Sequence, residues 1–302
     1  LQAAGHQAHA LVRADSESYR LRKAAFVGMP ADRIHEVGLE DAAALGALLR
    51  QLQPDVVMHL AMYGGNPGQT DAARTREVNV EGTRRLLEAM GEAPGAMLIH
   101  TGSSSEYGNS PQPMREEQEC RPSSEYGKTK LEAAQMVQKW AREKKRRAGI
   151  LRLFSPYGPY DHGFRLIPSV ILACARQEDL ALSSPAPMRD FVYVKDVVGA
   201  YEALMGRLED SAFPSGEIFN VGSGEQHSVR ETAETIARIG GSKIRITYGQ
   251  ESARGAESAV WRADLTKSQK MLGWKPEFSF EDGLGETYQW YRQNLALYPK
   301  KE

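Results

Sequence analysis

The feature that most constrains the fold is the alternation of short apolar runs with amphipathic stretches in the first half of the chain. Four apolar runs predict strands, at residues 8–13, 55–61, 97–101 and 149–154. Helical patterns lie between them, at about 39–53, 71–92 and 126–147. Strands that are apolar along their whole length are typical of a parallel sheet covered on both faces by helices. The sequence therefore predicts an α/β fold with a doubly wound parallel sheet.

The second half of the chain has a looser pattern. Ser228 and Glu231 form a capping-box motif that predicts the start of a helix at about 229–239. Later features predict a strand at about 243–248, a helix end at Gly273 and a last helix at about 280–295. We therefore expect a cofactor-binding domain over 1–154, onto which the segment 191–215 packs back, and a smaller α/β substrate domain over 155–302.

Composition and charge exclude several classes of protein. The chain has 302 residues with 38 basic and 39 acidic side chains, so it lacks the basic excess of a general nucleic-acid binder. Cys120 and Cys174 are too few for a disulfide framework, and their spacing has no metal-site pattern. No apolar run approaches the ~18–20 residues of a membrane span, and Leu1 to His6 do not resemble a signal peptide. We expect a cytoplasmic enzyme without a metal.

Tyr126 and Lys130 are a candidate acid/base pair. They stand four residues apart on a predicted helix and so share one face. A nearby ammonium stabilises tyrosinate and lowers the tyrosine pKa from about 10 toward neutrality. An isolated pair of this spacing is more often a surface feature of a helix. The surrounding motifs therefore decide whether this pair is catalytic.

Small hydroxyl residues at a strand end supply that context. Ser103 lies just past the predicted strand at 97–101, in the run Gly102-Ser103-Ser104-Ser105-Glu106-Tyr107-Gly108. The carboxyl ends of parallel strands are where α/β sheets bind ligands. Ser103 is therefore a candidate hydrogen-bond donor to the reacting carbonyl or hydroxyl. The structural alternative is a serine-rich turn that satisfies its own backbone.

Several motifs in order resemble a known family, the extended short-chain dehydrogenase/reductases that act on nucleotide-diphosphate sugars. These motifs are His59-Leu60-Ala61, Val78-Asn79-Val80-Glu81-Gly82-Thr83, the serine-rich strand end, Tyr126…Lys130, Arg152-Leu153-Phe154-Ser155-Pro156-Tyr157-Gly158-Pro159, Met188-Arg189-Asp190-Phe191-Val192-Tyr193, Phe219-Asn220-Val221-Gly222, and Ala263-Asp264 with Leu272-Gly273-Trp274. The resemblance covers essentially the whole chain. It implies a Rossmann sheet and a homodimer formed through the helices at about 71–92 and 126–147. Their apolar residues could serve the core or the interface: Leu86, Leu87, Leu131, Met136 and Val137.

The resemblance also implies a role for each matching residue. Tyr126 would be the acid/base, with Lys130 on the nicotinamide ribose and Ser103 as the third catalytic hydroxyl. The remaining cofactor contacts would be Arg13, Leu60, Ala61 and Asn79, and the substrate contacts Ser104, Ser105, Ser155, Arg189 and Arg254. Of these, Arg189 would pair with the substrate pyrophosphate, a task that suits the arginine fork.

Departures from the family pattern narrow the set of reactions that we expect of this chain. The 4,6-dehydratases of the family resemble one another in a carboxylate pair where this chain has Ser104 and Ser105. Dehydration needs such a carboxylate to move the C5 proton, so we do not expect it. Glu106 is one place late, and on a continuing strand it would point to the other face, as a solvated or cofactor-side carboxylate. Ser155 replaces an asparagine that contacts the sugar nucleotide in much of the family.

The residue after the second strand of the family pattern bears on the cofactor. NAD sites usually place an acidic residue there, whereas this chain has Arg13, which suits the 2′-phosphate of NADP. Asp15 nearby keeps NAD open. The family pattern also begins with a strand and a glycine-rich turn, and both would precede Leu1. We expect the natural chain to start earlier; a degenerate relative is the alternative.

The sequence thus favours hydride transfer at C4 of a nucleotide-diphosphate sugar. A 4-keto-6-deoxysugar reductase using NADP is preferred, on a GDP, CDP or dTDP sugar by resemblance alone. A 4-epimerase with tightly bound NAD is the alternative within this chemistry. A non-catalytic sugar-nucleotide or NADP-binding protein on the same fold is the alternative of another class.

Overall fold

In the computed structural model, which describes residues 5–13, 28–66, 68–249 and 260–300, parallel strand pairs alternate with helices. The strands are β1 (Ala10–Val12), β2 (Ile34–Glu36), β3 (Val56–His59), β4 (Met97–Ser103), β5 (Ala148–Leu153), β6 (Ser155–Tyr157), β7 (Leu180–Leu182), β8 (Met188–Arg189), β9 (Phe191–Tyr193), β10 (Glu217–Val221), β11 (His227–Ser228) and β12 (Ile246–Tyr248). The helices are α1 (Ala42–Leu52), α2 (Ala72–Arg76), α3 (Gly82–Ala89), α4 (Glu125–Glu143), α5 (Leu166–Arg176), α6 (Val194–Glu209), α7 (Val229–Ile239) and α8 (Phe280–Gln293).

The chain divides into two units. Unit 1 comprises Leu1–Glu106, Pro122–Arg152 and Tyr201–Phe219, and unit 2 comprises Tyr107–Arg121, Leu153–Ala200 and Asn220–Glu302. A four-stranded sheet has the order β10-β5-β4-β3, with β3 parallel to β4, and β2 pairs parallel with β1. Parallel pairs also join β6 to β9 and β7 to β12. These parallel strand pairs confirm the expected α/β class.

Helices α1, α3 and α4 cover one face of the four-stranded sheet. Their apolar side chains meet those of β4 and β5 in one buried cluster, which includes Leu45, Leu49, Leu86, Leu87, Leu98, Ala134, Val137 and Ile150. Leu86, Leu87 and Val137 are thus core residues, while Leu131 remains half-buried. Met136 packs against the same cluster from its edge.

The predicted helix over 71–92 is interrupted. Asp71 caps its start by accepting a hydrogen bond from the backbone N–H of Arg74 at 2.9 Å. A π turn over Glu77–Glu81 then separates α2 from α3. Such turns are often found at functional sites, and this one contains Asn79. The hydrophobic periodicity did not reveal it, because a single wide turn shifts the pattern by only one residue.

The capping predictions for the second half are confirmed. Ser228 accepts from the backbone N–H of Glu231 at 3.1 Å, and the Glu231 carboxylate accepts from the Ser228 N–H at 2.7 Å, as a capping box requires. Gly273 has φ 70° and follows a π turn over Ser268–Leu272. This left-handed position favours glycine.

Arg146 lies in the run of charged residues 143–147 at the end of helix α4. Helix α4 ends at Glu143, and the Arg146 guanidinium turns toward other carbonyls. It donates to the backbone oxygens of Met90, Ala93 and Ala96 at 2.8–3.2 Å. Arg146 therefore satisfies the carbonyls that follow α3, where a cation is also favoured.

A fully buried ion pair crosses the interior of unit 1. The side chains of Glu106 and Arg152 are 0% and 1% exposed, and the Glu106 Oε2 lies 2.8 Å from both Nε and Nη2 of Arg152. The strand ends at Ser103 and a 3-10 turn over Ser104–Glu106 follows. The alternation expected for a continuing strand therefore does not apply. The prediction of a solvated or cofactor-side Glu106 was wrong.

We expect Glu106→Gln to lower the free energy of unfolding by about 3 kcal/mol or more, because it leaves the Arg152 charge buried without its counter-ion. Glu119→Gln is the matched control, since Glu119 and its partner Arg121 are 71% and 78% exposed. That variant should change stability by less than about 1 kcal/mol. Urea unfolding measures both, and adding Arg152→Met to Glu106→Gln should restore part of the loss. Equal effects of the two single variants would contradict the assignment.

Candidate active site

Helix α4 presents Tyr126 and Lys130 one turn apart. The Ser124 hydroxyl caps the helix by accepting from the Gly127 N–H at 3.0 Å, so Tyr126 lies in the first turn. Its side chain is half-exposed, whereas Lys130 is 2% exposed. Tyr126 therefore lies at the positive end of the helix dipole, where a negative charge is favoured.

Burial makes Lys130 an unusually weak base. It lowers the pKa of Lys130 to about 8, and the charge of Glu106 opposes part of that shift. Burial also lowers the pKa of His59 to about 3 and holds that of His100 well below its usual value, and the Lys130 charge adds to both effects. The neighbouring imidazoles are therefore neutral. His59 and His100 are core residues, and His59 Nε2 lies 2.9 Å from the Thr83 hydroxyl.

The serine-rich strand end folds into a tight turn. The Ser103 hydroxyl oxygen accepts from the Ser105 N–H at 3.2 Å, and the Ser103 N–H donates to Glu106 Oε1 at 2.7 Å. A hydroxyl that accepts one bond can still donate its proton. The turn thus satisfies its own backbone and also fixes Ser103. Ser104 is buried and Ser105 is half-buried.

Gly127 allows the serine turn and helix α4 to touch. A methyl group at Gly127 would lie 2.4 Å from the Ser105 carbonyl oxygen and 3.0 Å from Pro122 Cβ. No real side chain tolerates the first distance, so only glycine permits this approach. The turn that holds Ser103 is in this way packed against the turn of helix that holds Tyr126.

Asn79 ties the loop after β3 to helix α4. Its Oδ1 accepts from the Tyr63 N–H at 2.9 Å, and its Nδ2 donates to the Tyr63 carbonyl at 2.9 Å and to Thr129 Oγ1 at 3.0 Å. Thr129 in turn donates to the Tyr126 carbonyl. Asn79 is 1% exposed, and its hydrogen bond to Thr129 links it to the helix that carries Tyr126.

The loop after β3 covers the tyrosine. The Tyr126 hydroxyl donates to Met62 Sδ at 3.3 Å, and a methyl at Gly65 would lie 3.3 Å from Tyr126 Cζ. Met62 was missed by the sequence reasoning, because no spacing rule links it to a helix 64 residues away. Leu60 and Ala61 precede it and are exposed, with Leu60 at 58%.

In unit 2, Ser155 lies on β6 and Arg189 on β8. The Ser155 N–H donates to the carbonyl of Asp190, the residue after Arg189, at 2.9 Å, and both Ser155 and Arg189 are half-buried. The structure thus brings Ser155 to the residue that follows Arg189 in the chain. Arg13 lies directly after β1. Arg254 and Asp15 lie outside the described residues.

Within the described ranges, no group of three His, Cys, Asp or Glu side chains is arranged to hold a metal ion. In the same part of the chain, none of the helices has the length and apolar character needed to cross a bilayer.

Comparisons with known proteins identify the family. The sequence model of the NAD dependent epimerase/dehydratase family matches residues 1–222. The chain belongs to this family. The expectation of an extended short-chain dehydrogenase/reductase is thereby confirmed, as are the expectations of an NAD(P)-dependent sugar-nucleotide enzyme and of its Rossmann-type α/β fold.

The individual relatives differ in activity. The dTDP-L-rhamnose 4-epimerase of Burkholderia thailandensis is 30% identical over 296 residues, covering 84% of this chain and 80% of the relative. The GDP-6-deoxy-D-mannose reductase of Pseudomonas aeruginosa is 30% identical over 268 residues, covering 83% and 84%. The structure of a UDP-glucose-4-epimerase from Stenotrophomonas maltophila superposes with a TM-score of 0.85 at 23% identity, over 98% of this chain and 93% of that one. The last comparison shows the fold.

We expect Gly127→Ala to lower stability by about 1–3 kcal/mol and to lower kcat, because the added methyl pushes the first turn of α4 away from the serine turn. Gly206→Ala is the matched control, since no atom lies within 4 Å of a methyl at that position of α6. It should be neutral or stabilising by up to about 1 kcal/mol. Thermal unfolding and turnover of both variants are the measurements. Unchanged kcat in Gly127→Ala would contradict the predicted role of this contact.

The lowered pKa of Lys130 predicts a pH signature. Between about pH 8 and the ordinary lysine value, the unfolded chain holds more protons than the folded chain, so the folded state gains stability as pH rises. Lys130→Met removes this gain, which is on the order of 2–3 kcal/mol. Urea unfolding of both proteins at about pH 7.5 and about pH 10 gives the difference due to Lys130 alone. If the free energy of unfolding changed with pH by the same amount in both proteins, the lowered pKa of Lys130 would be refuted.

Proposed function

We propose that this protein reduces the 4-keto group of a nucleotide-diphosphate 6-deoxyhexose, with NADP(H) as its cofactor. The observation that carries the proposal is the half-exposed Tyr126 in the first turn of α4, one turn from the buried Lys130. This arrangement suits a group that gives a proton to an oxygen near neutral pH.

Each candidate site residue of unit 1 has a distinct part in the proton transfer. Tyr126 donates its proton to the C4 oxygen, and Lys130 stabilises the tyrosinate that remains. The Ser103 hydroxyl donates a hydrogen bond to the same oxygen and holds it in place. The buried Glu106, which fixes the Ser103 N–H, keeps that hydroxyl in position. A nicotinamide cofactor, when bound, supplies the hydride.

The residues at the strand ends fit such a cofactor. Leu60 and Ala61 are apolar and exposed directly after β3, where a doubly wound sheet binds its dinucleotide. Lys130 would contact the nicotinamide ribose. Arg13, directly after β1, would face a 2′-phosphate and favours NADP over NAD. Asn79 would act on the site through Thr129 and Tyr63.

The substrate class is supported by two kinds of observation. The two curated relatives described above carry the names of enzymes that act on deoxysugar nucleotides, one linked to dTDP and one to GDP. Ser155 donates its N–H to the carbonyl of Asp190, next to Arg189 in the chain, and the planar guanidinium of Arg189 can bind a diphosphate through two parallel hydrogen bonds. Arg254 would be a second diphosphate contact.

Dehydration is the family reaction that the chain is poorly equipped to perform. Ser104 and Ser105 stand where a dehydratase needs its carboxylates. The nearest carboxylate, Glu106, is fully buried and paired with Arg152, so it cannot remove a proton from substrate carbon. Epimerisation needs no further carboxylate, because Tyr126 can take a proton and return it.

A 4-epimerase is the second candidate, and one observation favours it. The dTDP-L-rhamnose 4-epimerase matches over 84% of this chain, as broadly as the reductase does. In an epimerase Tyr126 would first remove the proton of the C4 hydroxyl and then return it. The cofactor would be regenerated in each cycle, so NAD could remain bound.

The experiment that tests the proposal uses the full natural protein with dTDP- and GDP-linked 4-keto-6-deoxyhexoses. NADPH or NADH is added, and reduced-nicotinamide absorbance is followed together with the sugar products. We expect stoichiometric consumption of NADPH. Tyr126→Phe should lower kcat by about 10²–10⁴ without loss of nucleotide binding, because only the transferable proton is removed. Tyr160→Phe, at an exposed tyrosine of unit 2, is the control.

The other outcomes are equally informative. Interconversion of the matching 4-hydroxy sugars without net consumption of nicotinamide would overturn the reductase and establish the epimerase. Binding of sugar nucleotide with no turnover, unaffected by Tyr126→Phe, would overturn both and leave a non-catalytic binding protein.

A further inference from the structure

Arg189 lies over an aromatic ring that the sequence motifs do not include. Its guanidinium carbon is 5.2 Å from the centroid of the Trp261 indole, within the range of a cation–π interaction. Its Nη1 also donates to the Met188 carbonyl at 2.7 Å. Both residues belong to unit 2 and are half-buried. The ring is therefore placed to restrict where this arginine can point.

A buried carboxylate fixes the two residues relative to each other. Asp190, directly after Arg189, is fully buried and accepts from the Ala263 N–H at 2.9 Å, two residues beyond Trp261. It also accepts from the N–H and hydroxyl of Ser223 at 2.6 and 2.8 Å. Gly222 leaves room for it, since a methyl there would lie 2.6 Å from Asp190 Oδ2.

The backbone around Trp261 is held from further sides. The Trp261 N–H donates to Gln226 Oε1 at 2.8 Å. The neighbouring Val260 forms a β-bridge with Ser110, and Ala263 forms one with Met114. The backbone that carries the indole is therefore fixed, whereas an arginine side chain by itself has many rotamers.

We propose that Trp261 is a positioning residue that holds Arg189 ready for the diphosphate of a sugar nucleotide. The inference rests on the proposed function and deepens it. A guanidinium that lies over a ring makes its hydrogen bonds through its N–H groups, as Nη1 does to the Met188 carbonyl, and paired N–H groups of this kind bind a phosphate in a bidentate manner. Ordering the side chain before binding lowers the entropic cost of binding.

The test compares Trp261→Leu with Trp261→Phe in the full natural protein. Calorimetry measures the affinities for UDP, dTDP and GDP and for the matching nucleoside monophosphates. Trp261→Leu should weaken diphosphate binding about three- to tenfold and monophosphate binding much less, while Trp261→Phe keeps most of the affinity because a ring remains. In turnover assays the same loss should appear in KM with kcat nearly unchanged. Trp290→Leu removes another tryptophan of unit 2 and is the matched control.

A double-mutant cycle separates positioning from folding. In an Arg189→Ala background, Trp261→Leu should cost no further diphosphate affinity, because the ring then has no guanidinium to hold. A full additional loss in that background, or equal weakening of mono- and diphosphates, would overturn the inference. Unchanged affinity in Trp261→Leu, with weakening in Arg189→Ala, would do the same and leave the proposed function intact. Failure of the wild-type protein to bind any of the diphosphates would overturn the proposed function and the inference together.

Discussion

The buried carboxylate of Glu106 is the interaction on which the candidate active site depends. It neutralises Arg152 inside unit 1 and accepts the Ser103 N–H, so it fixes the end of β4 in a tight turn. Its charge also stabilises the Lys130 ammonium, which burial alone would discharge more completely. A single group therefore fixes the serine backbone and also raises the pKa of Lys130, against the larger effect of burial. Its removal would disturb both, because Glu106 is fully buried and a buried charge left without its partner is costly.

The rest of the site is assembled by close backbone contacts around this charge. Gly127 lets the first turn of α4 reach the Ser105 carbonyl, and Asn79 joins the loop after β3 to the same helix. These contacts bind one short piece of helix to two loops. A reacting group held in this way needs little reorganisation when charge develops on it, which is how preorganised sites lower a barrier.

Unit 2 also contains a buried carboxylate that fixes the backbone beside a candidate site residue. Asp190 is buried beside Arg189, as Glu106 is buried close to Ser103, and each accepts backbone N–H groups from the segments that carry the neighbouring site residues. Burial raises the pKa of Asp190 to about 6, against the opposing effect of its hydrogen-bond donors. In both units a buried acid fixes the backbone close to a candidate site residue, Ser103 three positions before Glu106 and Arg189 one position before Asp190.

The sequence by itself determined the α/β class, the helix that carries Tyr126 and Lys130, and the capping box at Ser228. Each of these depends on periodicity or spacing within a few residues. Tertiary structure alone decided that Glu106 pairs with Arg152, 46 positions away, and that Trp261 lies under Arg189. It also decided the burial that lowers the pKa of Lys130. Contacts between distant segments depend on how helices and strands pack, and the spacing of residues along the chain carries no record of that packing.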